Sequence, residues 1–209
     1  MEQKIIVFQG DSITDCGRNR ENDGLGLGYA NMVTGSLMAA EPYRYKCHNR
    51  GISGNRVVDL YSRWKIDALN LNPDLLSIFI GVNDLWHEKM RRNGVEPVRF
   101  ERIYRMLLEW TLEVLPEVKL ILIEPYVLPC GSVEESWIPE IAEYQKIVRR
   151  LADEFKTGFV PTQEIFNTAA KTAPSMEYLT ADGVHPTPAG HQLLADAWLA
   201  EARKQGFLK

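Results

Sequence analysis

Cysteine is scarce in this chain of 209 residues: Cys16, Cys47 and Cys130 are its three, an odd number with no CxxC pair. That count argues against a disulfide framework and a cysteine-built zinc site, and it fits thiols that stay reduced. Positive charge is not in excess either. The formal net charge is −4, whereas a protein that works on nucleic acid needs a basic stripe to displace counterions. The short clusters Lys89-Met90-Arg91-Arg92 and Arg149-Arg150 have acidic neighbours and read as solvated helix ends. No run approaches the roughly 18 apolar residues of a membrane span, and the first strand-like run begins so close to Met1 that no signal peptide fits ahead of it. The expectation is a cytoplasmic protein with neither a nucleic-acid nor a membrane partner.

Linkers and repeats are missing too. No Pro/Gly/Ser-rich stretch or internal period interrupts the pattern, so residues 1–209 are expected to form a single domain. His48, His87 and His191 have no ligand partner at useful spacing, and Asp182 with His185 is too small a set for a metal. No metal and no cofactor are expected. Gly24-Leu25-Gly26-Leu27-Gly28 lacks the GxGxxG spacing of a dinucleotide loop and does not directly follow a strand, so it reads as a lid or flexible loop.

What the chain has is alternation. Apolar runs of strand length fall near 4–9, 44–48, 74–80, 118–124 and 158–161, and amphipathic helical patterns occupy roughly 28–40, 56–70, 97–115, 138–156 and 188–204. Pro97 and Pro188 suit first helical turns, and Pro42, Pro73 and Pro116 follow helix ends. This βα repetition predicts a three-layer α/β/α sandwich around a five-stranded, mostly parallel sheet. With the flavodoxin-like order 2-1-3-4-5, ligands belong at the carboxyl ends of the first three strands.

Each of those ends carries a motif: Gly10-Asp11-Ser12, then Asn49-Arg50-Gly51-Ile52-Ser53-Gly54-Asn55, then Gly81-Val82-Asn83-Asp84. A fourth cluster, Asp182-Gly183-Val184-His185, lies near the far end. Acyl transfer needs a nucleophile, a base, a carboxylate to fix the base's tautomer and donors for the developing oxyanion. The candidates are Ser12 as nucleophile, His185 as base and Asp182 as its orienting carboxylate, the Asp-x-x-His spacing letting one loop carry both. The backbone N–H groups of Ser12 and Gly54 and the side-chain amide of Asn83 are candidates for the oxyanion hole. Each residue also has a plainer reading. Ser12 can be a helix N-cap, Gly54 a turn residue with positive φ, and Asn83-Asp84 and Asp182-Gly183 ordinary turn pairs. Their joint occurrence, in this order and at strand ends, favours the catalytic reading.

These four blocks resemble those of the SGNH (GDSL) hydrolases, whose lettered residues would be Ser12, Gly54, Asn83 and His185. Within that family, Gly10 to Arg18, Gly26-Leu27-Gly28-Tyr29, Arg50 to Asn55 and Val184-His185-Pro186 followed by Ala189-Gly190-His191 are similar to intracellular bacterial acetylxylan esterases. The resemblance implies removal of acetyl groups from xylo-oligosaccharides, an acetylated oligosaccharide as partner and association into homo-oligomers. One departure is Thr180-Ala181 before Asp182, where no aromatic stands.

The same machinery also serves lysophospholipases and acyl-thioesterases, and a sugar-binding protein with a vestigial site is a further alternative. Trp86, Tyr126, Trp137 and Tyr178 are expected on loops near the site, as pocket walls or as ordinary packing. Segments 13–28 and 126–137, the expected roof, are rich in Gly, Pro and polar residues.

Overall fold

A computed structural model describes residues 3–209. Five strands form one parallel sheet in the order β2-β1-β3-β4-β5. They are β1 (Lys4–Gly10), β2 (Tyr45–Asn49), β3 (Leu75–Phe79), β4 (Lys119–Ile123) and β5 (Gly158–Val160). Every residue of β3 is buried, as a strand covered on both faces requires, and its sequence Leu-Leu-Ser-Ile-Phe is apolar except for Ser77. At the edge, β2 exposes Lys46, a charge that blunts pairing with another chain. Chain order turns back at β1, which lies between β2 and β3 with Phe8 opposite both Asn49 and Ser77.

Among the described residues eight α-helices connect and cover the strands: α1 (Ser12–Asp15), α2 (Tyr29–Ala40), α3 (Val57–Asp67), α4 (Val82–Arg91), α5 (Pro97–Val114), α6 (Trp137–Phe155), α7 (Thr162–Ala170) and α8 (Pro188–Lys204). Helix α2 packs on α8, while α3, α5 and α6 pack side by side as the other layer. Under α2 and α8, Phe8 meets Tyr29 edge-on at 5.8 Å and Trp198 at 5.3 Å. In the opposite layer Trp64 is fully enclosed, and its indole N–H donates to Thr111 Oγ1 at 2.9 Å. The five expected strands and five long helices all occur, each within a few residues of its expected ends.

Three helices were not expected. Helix α1 is one short turn on the nucleophile block, and α7 follows β5 directly through Pro161. Helix α4 occupies the stretch read as a turn: Gly81, at φ 133°, redirects the chain, and Val82 and Leu85 then bury themselves. The residues on 126–128 are also not roof. Tyr126, Val127 and Leu128 are buried, with the Tyr126 ring stacked on Phe166 at 4.0 Å. The glycine-rich stretch is fastened: Asn22 Nδ2 donates to the Gly26 carbonyl at 2.7 Å and the Leu27 N–H to the Cys16 carbonyl at 2.9 Å. Among the described residues no helix is long and apolar enough to cross a membrane.

Candidate active site

Ser12 stands where β1 ends and α1 begins. The Asp11 carboxylate caps that turn by accepting the Ile13 N–H at 3.0 Å. Gly10 makes the exit possible, since a Cβ there would lie 2.6 Å from the Phe79 carbonyl oxygen of the neighbouring strand. The short turn thus lifts the Ser12 hydroxyl above the sheet's carboxyl edge.

His185 and Asp182 reach that edge on the loop between α7 and α8. Ser12 Oγ lies 2.8 Å from His185 Nε2, and His185 Nδ1 lies 2.7 Å from Asp182 Oδ2. An ionised carboxylate only accepts, so Nδ1 carries the ring proton and Nε2 is left free to accept from the Ser12 hydroxyl. The other Asp182 oxygen accepts the backbone N–H of Val184 at 3.0 Å and of His185 at 2.8 Å. Partial burial pushes the Asp182 pKa up, but these N–H groups and the imidazole outweigh it and hold the carboxyl below its ordinary value. It therefore stays ionised at neutral pH.

The loop is held from both sides. Tyr126 donates its hydroxyl to the Val184 carbonyl at 2.8 Å, Leu128 N–H to the Gly183 carbonyl at 2.8 Å, and Ser132 N–H to the Asp182 carbonyl at 3.0 Å. Inside the loop Thr180 Oγ1 accepts the Gly183 N–H at 2.8 Å. The 126–132 segment is therefore the brace of the Asp182/His185 loop, a function that its sequence does not announce.

The expected oxyanion donors come from the same edge. Gly54 sits at φ 82° with open space where a Cβ would point, so the turn needs glycine for its backbone conformation and not for room. Among the described residues the N–H groups of Ser12 and Gly54 donate to no protein acceptor. Asn83, buried in the first turn of α4, spends one amide hydrogen on the Asn55 carbonyl at 3.1 Å and keeps the other.

Asp84 couples these donors. It is fully buried, and its two oxygens accept the Val57 N–H at 3.1 and 3.3 Å, which ties the start of α4 to the start of α3. The Asn83 segment and the Gly54 loop are thereby held together. Burial drives the Asp84 pKa well above the ordinary carboxylate range, with the nearby Asp11 charge pushing the same way. Asp11 itself, also fully buried, is raised to about 7, the Ile13 N–H and the charge of His185 only partly opposing the desolvation. The sequence offered no signal for either role beyond an Asp beside each catalytic candidate.

Of the four expected aromatics, Trp86 is the one whose ring pairs with that of His185. On α4 it packs edge-to-face on Trp137 at 5.2 Å, and its ring lies 6.4 Å from the His185 ring. Tyr126 lies beneath the site, and Tyr178 is exposed on a short 3-10 turn. His191 forms a separate contact. Its Nδ1 accepts the Tyr29 N–H at 3.1 Å, leaving Nε2 3.5 Å from Cys16 Sγ. Burial, aided by the His185 charge, lowers the His191 pKa to about 4, so this imidazole is a neutral acceptor at the start of α2. Among the described residues no group of three or more His, Cys, Asp or Glu side chains is arranged to hold a metal ion.

The model of the GDSL-like lipase/acylhydrolase family matches residues 8–193. An acetylxylan esterase of Geobacillus stearothermophilus is 40% identical over 207 residues, 94% of this chain and 92% of that protein. A GDSL-like lipase structure from Parabacteroides merdae has a TM-score of 0.91 at 42% identity, covering 97% of this chain and 96% of that one. The Geobacillus acetylxylan esterase structure has a TM-score of 0.85 at 37% identity, covering 95% and 93%. Structures of that esterase include catalytic mutants in which a serine, a histidine and an aspartate are each replaced by alanine.

Proposed function

The chain belongs to the GDSL-like lipase/acylhydrolase family, and from that premise we propose that it is a serine esterase that removes acetyl groups from xylo-oligosaccharides or related carbohydrates. The observation that carries the reading is the unbroken line of short contacts from Ser12 Oγ through His185 to Asp182. The similarity to an acetylxylan esterase over nearly the whole chain supports the substrate class.

In this reading Ser12 Oγ attacks the ester carbonyl carbon as its proton passes to His185 Nε2. The carbonyl π electrons move to oxygen, and the Ser12 N–H, the Gly54 N–H and the Asn83 amide stabilise the resulting oxyanion. Collapse of the tetrahedral intermediate breaks the bond to the sugar oxygen, which leaves with the proton from His185. Water, deprotonated by the same imidazole, then attacks the acetyl-serine and releases acetate. Asp182 fixes the tautomer and stabilises the imidazolium throughout.

Trp86, whose ring lies 6.4 Å from that of His185, is the aromatic assigned to the leaving-group side in this proposal. A cytoplasmic location is consistent with the three free thiols, and homo-oligomers are part of the same proposal by resemblance. The test is a pair of measurements on wild type and Ser12→Ala: labelling by a fluorophosphonate probe, and acetate release from acetylated xylo-oligosaccharides. Wild type labels and releases acetate, and Ser12→Ala does neither. Wild-type turnover by Ser12→Ala would refute the nucleophile, and labelling without acetate release would refute the substrate.

A further inference from the structure

Beside the carboxyl end of β2 the lining of a cleft of about 320 Å³ includes Arg18, His48, Asn49 and Arg50, together with the exposed Asn19 and Asp23. Its arginines differ from the rest. The other half-buried arginines each face a carboxylate: Arg44 meets Glu41, Arg56 meets Asp59, Arg63 meets Asp67 and Arg105 meets Glu154. Among the described residues Arg18 and Arg50 have no such partner. Arg18 spends its Nε–H on the Gly51 carbonyl and keeps the outer guanidinium nitrogens free. Arg50 Nε is buried with no hydrogen-bond partner at all. A buried donor left unmade is costly, and a charged one more so.

The local field is positive as well. The His48 pKa is lowered by partial burial and then by the charges of Arg50 and Lys46. Two guanidinium forks with free donors match the planar oxygens of a carboxylate. Asn19 adds an amide group, His48 an imidazole and Asp23 a carboxylate that can accept from hydroxyls, while the buried Asn49 amide is spent on the Thr14, Leu25 and Gly51 backbone and shapes the floor. That mixture suits a hydroxylated acid better than a bare inorganic anion, and the volume falls within the usual range of small-ligand pockets.

Position ties the cleft to catalysis. Arg50 leads through Gly51, Ile52 and Ser53 to the oxyanion candidate Gly54, and Asn49 is in register with Phe8, four residues before Ser12. Strand spacing and chain reach put the Asn49 and Ser12 backbones at most about 20 Å apart. A short branched oligosaccharide can span that interval.

We infer that the Arg18/Arg50 cleft is a subsite for a sugar carboxylate, and that it recruits acetylated oligosaccharides bearing a uronic-acid branch. The substrate half of this inference rests on the carbohydrate-esterase reading above; the binding half does not.

The test compares kcat/KM on acetylated xylo-oligosaccharides with and without a glucuronyl branch, with p-nitrophenyl acetate as the control for the ester chemistry. Wild type favours the acidic substrate by about tenfold or more through KM, and added salt erodes the preference. Arg50→Gln brings the ratio near one with p-nitrophenyl acetate turnover unchanged, and Arg50→Lys retains part of it. Equal kcat/KM on the two oligosaccharides in wild type would overturn the inference.

If neither oligosaccharide is a substrate while p-nitrophenyl acetate is, the carbohydrate reading fails by itself. The subsite is then judged by calorimetric titration with free glucuronate and, separately, inorganic phosphate. Saturable glucuronate binding that Arg50→Gln removes upholds it. Binding of phosphate alone, or of neither, overturns it.

Discussion

Replacing Asp11 by Asn should make the protein increasingly more stable than wild type as pH rises. Asp11 is fully buried beside the nucleophile and carries a pKa of about 7 against 3.8 for an ordinary Asp. Below 3.8 the carboxyl is protonated in both folded and unfolded chains, and no penalty arises. Between that value and about 7 the unfolded chain loses the proton while the folded one retains it, so native stability falls with rising pH; above about 7 the penalty is constant. At 1.36 kcal/mol per pKa unit the full penalty is about 4 kcal/mol.

Asparagine keeps an oxygen for the Ile13 N–H and has no proton to lose. Its buried amide costs about 1–3 kcal/mol if unpaired, but equally at every pH. Because Asp11 and Asp84 repel, removing one charge also eases ionisation of the other and adds to the variant's gain at high pH. Urea unfolding of both proteins from about pH 4 to about pH 8 reads the difference. The stability of Asp11→Asn minus that of wild type should climb by about 4 kcal/mol and then level off. Parallel curves would refute the reasoning and show that Asp11 ionises in the fold as freely as in water.

Other outcomes follow from the site. Asn83→Ala should lower kcat by roughly 10²–10³-fold with little change in KM, because an oxyanion donor acts on the transition state; a change confined to KM would make Asn83 a ground-state contact. Exhaustive dialysis against a chelator should leave the rate on p-nitrophenyl acetate unchanged, and loss of activity restored by a divalent ion would contradict the roles given to Asp182 and His185. Acetyl esters should outpace octanoyl esters at matched leaving group. The residues of 126–128 that would wall an acyl chain are buried under the Asp182/His185 loop, so each added methylene forgoes its ~0.8 kcal/mol of burial. A steady rise in kcat/KM from acetyl to octanoyl would favour a lipid or thioester substrate.

The parts of this fold that were legible in the sequence are those in which local pattern and global position agree. Strands β1, β3 and β4 are apolar because both faces are covered, and the motifs that follow β1, β2 and β3 put Ser12, Gly54 and Asn83 on one edge. Helix α4 was illegible for a local reason. Gly81-Val82-Asn83-Asp84 has turn composition, and only the tertiary burial of Val82, Leu85 and the Asp84 carboxylate makes it the first turn of a helix.

The supports of the site were hidden for a different reason, since they are long-range. Tyr126 acts on Val184 and Asp84 on Val57, and no period or spacing links those pairs. The contrast has a physical basis. Residues that react must carry particular functional groups at fixed chain positions, and such groups form motifs. A residue that positions them needs only one hydrogen bond from whichever element folds nearby. Asp84 joins the two classes: a motif residue whose buried carboxylate reaches no reacting atom, but fastens the turn carrying Gly54 to the helix carrying Asn83.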